Sequence, residues 1–205
     1  MVTIHDIPLV LASSSPRRLE LMRLLQRPFT VEHSRYEEPP PPDEDVDIKQ
    51  LVKELALQKA AEVAERSADA LVIGADTLVG PDSPAGVPFG KPRSTDEAMF
   101  MLRRLSDAWH RVSTGIAVVP AGNVRELIVP VVDVVTTRVK FRKMSDRQIE
   151  AYIATGEPFD KAGAYGAQGF AARYIECIDG DFYNVVGLPI CRLSQILDNR
   201  GLTCP

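Results

Sequence analysis

The sequence predicts an α/β fold built on a mixed β-sheet. Three observations predict it: strand-like and helix-like patterns alternate early in the chain, a pair of strand-like runs joined by a turn comes later, and two separate capping signals open helices between such runs.

Each element has a local reason. Leu9 to Ala12 is a short apolar run of the kind buried strands use, and Ser13-Ser14-Ser15 leads from it to Pro16, a residue favoured at the first position of a helix. The helix from Pro16 to about Leu25 carries Leu21, Leu24 and Leu25 on its apolar side, with Pro28 beyond its end. Pro39 to Pro42, followed by Asp43-Glu44-Asp45, reads as a solvated loop. Ile48 to about Arg66 is the longest helical pattern, with Ile48, Val52, Leu55 and Val63 recurring along one face. Ala70 to Val79 is a nearly continuous apolar run, expected of a central strand covered on both faces. Glycine and proline over Gly80 to Pro92 predict a loop or loose hairpin. Ser94-Thr95-Asp96-Glu97 forms a capping box that opens a helix to about Leu105. Val112 to Val119 and Val131 to Phe141 are strand-like and joined by a turn near Ala121-Gly122-Asn123, which predicts an antiparallel pair. Ser145-Asp146-Arg147-Gln148 is a second capping box, for a helix that Gly156 ends. Gly163, Gly166 and Gly169 stud a loop, and a hairpin turned at Asp179-Gly180 precedes a last helix from Pro189 to Leu197.

With 45% hydrophobic and 25% charged residues, the 205-residue chain can bury a substantial core, and a single domain over residues 1–205 is expected. A net charge of −4 argues against nucleic-acid binding, so any anionic ligand must meet locally clustered cations. Cys177, Cys191 and Cys204 form no C-x-x-C pair, which points to neither a disulfide framework nor a thiolate zinc site and fits a reducing cytoplasm. His5, His33 and His110 lack metal-ligand spacing, and Trp109, being single, reads as packing rather than a platform for a base. No apolar stretch has the length of a membrane span, and Met1 to Pro8 lacks the basic-then-apolar design of a secretory leader, so no membrane partner is expected.

Several residues resist a purely structural account. Asp76 sits inside an apolar run where an ionised carboxylate is costly to bury without a partner; it is either a hydrogen-bonded turn residue or a carboxylate at the carboxyl end of a central strand, where ligands bind in open α/β sheets. Lys59 falls at the centre of the apolar stripe of its helix, so it must either snorkel or pair, with Asp76 and Glu38 available as partners and Lys91 as a neighbour in an anion site. Ser13, Ser14, Ser15, Arg17 and Arg18 stand where a strand gives way to a helix N-terminus, the outline of a phosphate cradle, although Ser15 capping beside two solvated arginines explains the same pattern. Gly86 to Pro92 is not a P-loop, having one residue too few between its glycines and Pro92 where Ser or Thr should be; Lys91 there is either a surface lysine or a phosphate ligand.

Taken together, Leu11-Ala12-Ser13-Ser14-Ser15-Pro16-Arg17-Arg18-Leu19-Glu20-Leu21, Gly74-Ala75-Asp76-Thr77, Gly90-Lys91-Pro92, Thr155-Gly156-Glu157-Pro158 with Asp160 to Gly169, and Val185 to Pro189 closely resemble the Maf (septum formation inhibitor) family, in order and over almost the whole chain. The resemblance implies an elongated mixed sheet with flanking helices, like that of the inosine triphosphate pyrophosphatases, forming two lobes around a cleft. It implies a cytoplasmic, homodimeric enzyme that cuts a nucleoside triphosphate to its monophosphate and pyrophosphate with Mg²⁺ or Mn²⁺. By the same resemblance Asp76 looks like the general base, Glu38 and Asp76 surround the metal, Arg18, Lys59 and Lys91 face phosphate, and Arg17, Thr77 and Gln168 shape substrate choice, with Ser13 in the cradle. Tyr36-Glu37-Glu38-Pro39 departs from the family's usual Asp-Glu-Ser/Thr, which leaves Glu37 as a rival to Glu38. The segment Ala162 to Gly169 is similar to the branch that hydrolyses dTTP and UTP, and the alternatives are the branch acting on 7-methyl-GTP and a nucleotide-binding regulator of septation without turnover.

Overall fold

The computed structural model describes residues 7–83 and 85–202; His5, Cys204 and Met1 to Asp6 of the N-terminal segment lie outside them. In chain order the elements are β1 (Leu9–Leu11), α1 (Pro16–Arg23), β2 (Phe29–Val31), α2 (Ile48–Arg66), β3 (Ala70–Pro81), α3 (Thr95–Leu105), β4 (Trp109–Ala121), β5 (Val131–Phe141), α4 (Asp146–Ile153), β6 (Ile175–Asp179), α5 (Phe182–Val186) and α6 (Ile190–Asp198). Short 3-10 turns cover Gly122–Glu126, Glu157–Asp160, Ala162–Ala164 and Phe170–Tyr174.

The strands form one mixed sheet in the order β2-β1-β3-β4-β5-β6, parallel on the β2-β1-β3 side and antiparallel from β3 onward. Side chains alternate between the faces of a strand, and β3 shows what each face meets. Ala70 and Val72 pack with Ala56, Ala60 and Val63 of α2, and Leu78 packs with Ile48, Val52 and Leu55 of the same helix. Leu71, Ile73 and Ala75 face the other way, into a cluster with Leu21 and Met22 of α1 and Leu193 and Ile196 of α6. Val79, on that same second face, belongs to a different cluster with α3, α4 and Tyr165. Two apolar clusters thus share one face of the sheet, and between them stands Thr77, in register with Thr114 of β4. On the opposite face the polar break is Asp76. Both faces turn polar at the same place along β3, which is the seam between the two lobes.

Two expectations need correcting. Asp76 does not lie at the carboxyl end of its strand or in a turn, because β3 runs on to Pro81. What ends beside it is β1, whose pairing stops at Leu11 opposite Ile73, so the edge of β3 carries no paired strand from Gly74 until Phe89 bridges Val79. No hairpin turns at Asp179-Gly180: β6 pairs with β5, and Asp181 caps α5 by accepting from the Tyr183 and Asn184 amides at 2.8 and 3.2 Å. The short side chain of Asp181 satisfies the free amides of a helix start, and that local bond prevails over the turn propensity of Asp-Gly. Strand β2 also escapes the sequence pattern, since three residues after Pro28 are too few to show alternation. At α3 the box is partly redirected: Ser94 accepts from the Glu97 amide, but Glu97 reaches the Arg93 amide instead of Ser94.

Gly74 explains how close α2 comes. A methyl group there would lie 2.4 Å from the Ala56 carbonyl oxygen and 2.9 Å from Ala60 Cβ, so only glycine lets the helix backbone settle on the strand. That contact fixes the height of Lys59 above the sheet.

Candidate active site

Lys59 leaves α2 on its buried side and its ammonium meets two carboxylates, Asp76 Oδ1 from β3 and Glu38 Oε1 at 2.6 Å from the loop after β2. It therefore pairs and does not snorkel. Asp76 is buried and commits a single carboxylate oxygen to the lysine, while Glu38 is exposed on the side that faces solvent. Of the two rivals in the Glu37-Glu38 pair, Glu38 is the residue the fold turns toward Lys59. Burying the ammonium and the Asp76 carboxylate together, against one another, is the arrangement that makes either tolerable at this depth.

Next to this triad the turn from β1 into α1 presents Ser13, Arg17 and Arg18. Ser15 caps α1, accepting from the Arg18 amide, and Ser13 Oγ accepts from the Ser15 amide at 3.2 Å. Both arginines are engaged by other groups of the fold. Arg18 donates from Nε to the Gly187 carbonyl at 2.9 Å, from Nη2 to Thr77 Oγ1 at 3.2 Å and from Nη1 to Ser13 Oγ at 3.4 Å. Burial lowers its pKa, and the negative charges of Asp76 and Glu38 oppose that fall. Gly187 reaches Arg18 because its φ of 121° lets the chain turn back at the end of α5, a conformation that side chains disfavour. Arg17 crosses the cleft to Asp160 of the far lobe, at 2.9 Å, and Asp160 also pairs with Lys161. Burial pushes the Asp160 carboxyl up, and the bonds from Lys161 and Arg17 outweigh it and hold the group below the usual carboxylate range.

Lys91 and Gln168 complete the cleft from the second lobe, both exposed. The Gln168 amide makes no hydrogen bond among the described residues. Its glycine-rich loop is braced instead by Glu157, whose carboxylate accepts from Tyr152 Oη at 2.9 Å and from the Phe170 amide at 2.8 Å. The donor and the acceptor of the Gln168 amide are thus both uncommitted among the described residues.

The cleft has a volume of about 840 Å³ and is lined by Ser13, Arg17, Arg18, Glu38, Lys59, Asp76, Thr77, Lys91 and Gln168, which brings all the candidate residues of the sequence together. Arg17, Arg18, Lys59, Lys91, Arg93 and Lys161 line it against the carboxylates of Glu38, Asp76 and Asp160, a surplus of three positive charges on a chain whose net charge is −4. An anionic ligand is the complement of that surplus. The sequence alone assigns no role to Asp160, Thr114, Asn184 or Gly187; a local signal was the polar Asn184 immediately before the Val-Val-Gly-Leu segment. Trp109 does not line the cleft; it lies beneath the Arg138 guanidinium, 4.5 Å from the ring centre.

Among the described residues no cluster of three or more His, Cys, Asp or Glu residues is arranged to hold a metal. Asp76 and Glu38, converging on a single ammonium with carboxylate oxygens to spare, nevertheless fit Mg²⁺, which takes one or two carboxylates and completes its shell with water and substrate oxygens. No helix of the described residues is long and apolar enough to cross a membrane.

A family model described as "Maf-like protein" matches residues 8–200. Proteins named dTTP/UTP pyrophosphatase are similar over nearly the full length: one from Caldicellulosiruptor bescii is 44% identical, covering 94% of this chain and 94% of its own, and one from Halalkalibacterium halodurans is 43% identical, covering 96% and 97%. One from Symbiobacterium thermophilum is 46% identical, covering 94% of both. Among solved structures, a HAM1 protein from Coxiella burnetii superposes with a TM-score of 0.52 at 16% identity, covering 94% of this chain and 99% of that one, a likeness of fold.

Proposed function

The chain belongs to the Maf family, and on that footing we propose that it hydrolyses nucleoside triphosphates to the monophosphate and pyrophosphate, with dTTP and UTP as preferred substrates. The observation that carries the reading is the meeting of Lys59, Asp76 and Glu38 in a cation-lined cleft beside a helix N-terminus.

Asp76 is the general base: its free carboxylate oxygen accepts the proton of the attacking water, and the bond from Lys59 to the other oxygen orients the group. Arg18, Lys91 and the N-terminus of α1 bind the triphosphate and stabilise the charge that gathers on the departing pyrophosphate. Asp76 and Glu38 would hold a divalent cation, Mg²⁺ or Mn²⁺, which would supply charge neutralisation and Lewis acidity at the phosphates. At the base, the Gln168 amide matches the donor and acceptor edge of uracil or thymine, while Arg17 stands at the rim, tied to Asp160. A site that hydrogen-bonds a base edge rejects the wrong base more strongly than an apolar pocket does. The protein acts in the cytoplasm as a homodimer.

The test is to incubate purified protein with dTTP, UTP, CTP and 7-methyl-GTP and with Mg²⁺ or Mn²⁺, and to resolve the products. Monophosphate and pyrophosphate are expected, with kcat/KM highest for dTTP and UTP, and Gln168→Ala should narrow that preference. Free phosphate as the main product, without added pyrophosphatase, overturns the reaction; preference for 7-methyl-GTP overturns the substrate; binding without turnover leaves a regulator.

A further inference from the structure

Behind the cleft, between the two apolar clusters of the sheet, runs a line of buried polar side chains that the mechanism does not use. Thr114 and Asn184 are both fully buried. Thr114 Oγ1 lies 3.0 Å from the Asn184 carbonyl and 2.9 Å from Thr77 Oγ1, and Thr77 Oγ1 in turn receives Arg18 Nη2.

The direction of each bond in this line is determined. A carbonyl oxygen only accepts, so the single hydroxyl proton of Thr114 goes to Asn184. Thr114 then has no proton left for Thr77, and Thr77 must donate to it. With its own proton committed inward, Thr77 meets the cleft and Arg18 only as an acceptor. The same logic fixes the far end: Asn184 Nδ2 donates to the Val112 carbonyl at 2.9 Å and to Thr137 Oγ1 at 3.0 Å, and Thr137 spends its proton on the Asp181 carbonyl at 2.9 Å. Asn184 is thereby clamped to β4 and β5, and three residues later Gly187 accepts from Arg18 Nε.

We propose that Thr114 and Asn184 are positioning residues for the triphosphate site, acting through a one-way relay that makes Thr77 an obligate acceptor and so holds the Arg18 guanidinium in its anion-binding pose. The inference rests on the proposed role of Arg18 toward phosphate. With Nε and one N-H of each terminal nitrogen taken up by Gly187, Thr77 and Ser13, the guanidinium cannot turn, and its remaining N-H groups are left for the ligand.

Affinity for inorganic triphosphate, read by titration calorimetry, tests it. Thr114→Val removes the relay's proton and its acceptor and should weaken binding about tenfold, the scale of one hydrogen bond to a charged group; Thr114→Ser should restore it. In an Arg18→Gln background Thr114→Val should have no further effect, which a merely structural role would not produce. Should Thr114→Val fail to fold, Thr77→Val at the half-buried end of the relay should show the same loss, and Thr77→Ser should not. Wild-type affinity in whichever valine variant folds, or an effect that persists without Arg18, overturns the relay. Unchanged affinity in Arg18→Gln alone instead removes the phosphate role on which the relay depends.

Discussion

At the scale of single residues, the decisive fact is that one ammonium serves two carboxylates of unequal exposure. Asp76→Asn keeps the shape and removes the basic oxygen, so turnover should fall by about 10²- to 10⁴-fold, the usual contribution of a positioned base, while the protein stays folded. An active Asn variant would take Asp76 out of that role. Lys59→Met keeps the apolar stem and deletes the charge, and activity should collapse with it. Because the Asp76 side chain is only 8% exposed, the variant also strands a carboxylate, at a cost on the order of 3 kcal/mol in denaturant unfolding. Adding Asp76→Asn to it should recover much of that stability; a double variant no more stable than Lys59→Met would show that the pair is solvated. The sequence exposed both residues as anomalies, a lysine in an apolar stripe and an aspartate in an apolar run. It gave no direction for Thr77, because the sense of a hydroxyl bond depends on partners 37 and 70 positions away from its members.

Among the elements, α2 and β3 place the chemistry, and their contact depends on the absence of a side chain at Gly74. Gly74→Ala should cost about 1–3 kcal/mol, the range for overpacked cores, and should lower kcat as well, since the helix that lifts off carries Lys59. Thermal melting beside steady-state kinetics would check both, and an unshifted melting temperature would mean that α2 does not approach the strand so closely. Long periodic elements such as α2 were legible in the sequence. Strand β2 and helix α5 were not, because each is too short to carry a period: β2 exists through its pairing with β1, and α5 through the Asp181 cap together with the anchor that Asn184 makes on β4.

For the whole molecule, the two lobes meet across Thr77 and Asp76, and the lobe carrying α3 and α4 encloses His110 against Phe141 and Tyr165. His110 Nε2 bonds the Tyr165 hydroxyl at 2.8 Å, whereas Nδ1 is buried without a partner, and burial drives the imidazole pKa down from 6.5 to about 3. In the folded state the ring stays neutral; in the unfolded state it protonates below 6.5. Stability is therefore fully present above pH 6.5 and drains as the pH falls toward about 3, by at most about 1.4 kcal/mol per pH unit from this one group. Denaturant midpoints at pH 7 and pH 5 should show the loss, and His110→Gln should flatten it; an equally steep variant would place the acid sensitivity elsewhere.

By itself the sequence determined the α/β class, the position of most long elements and the anomalies at Lys59 and Asp76, because periodicity and capping act within a few residues and because a charge in an apolar run is visible where it stands; the resemblance of its motifs to the Maf family supplied the rest of the cleft residues. Only the tertiary structure decided where β3 loses its parallel neighbour, that Glu38 rather than Glu37 meets Lys59, that Arg17 is held by Asp160, and which way the protons of Thr77 and Thr114 point. Each of these depends on groups brought together from distant parts of the chain, where hydrogen-bond valence and the cost of unpaired buried charge, and no local propensity, select the arrangement.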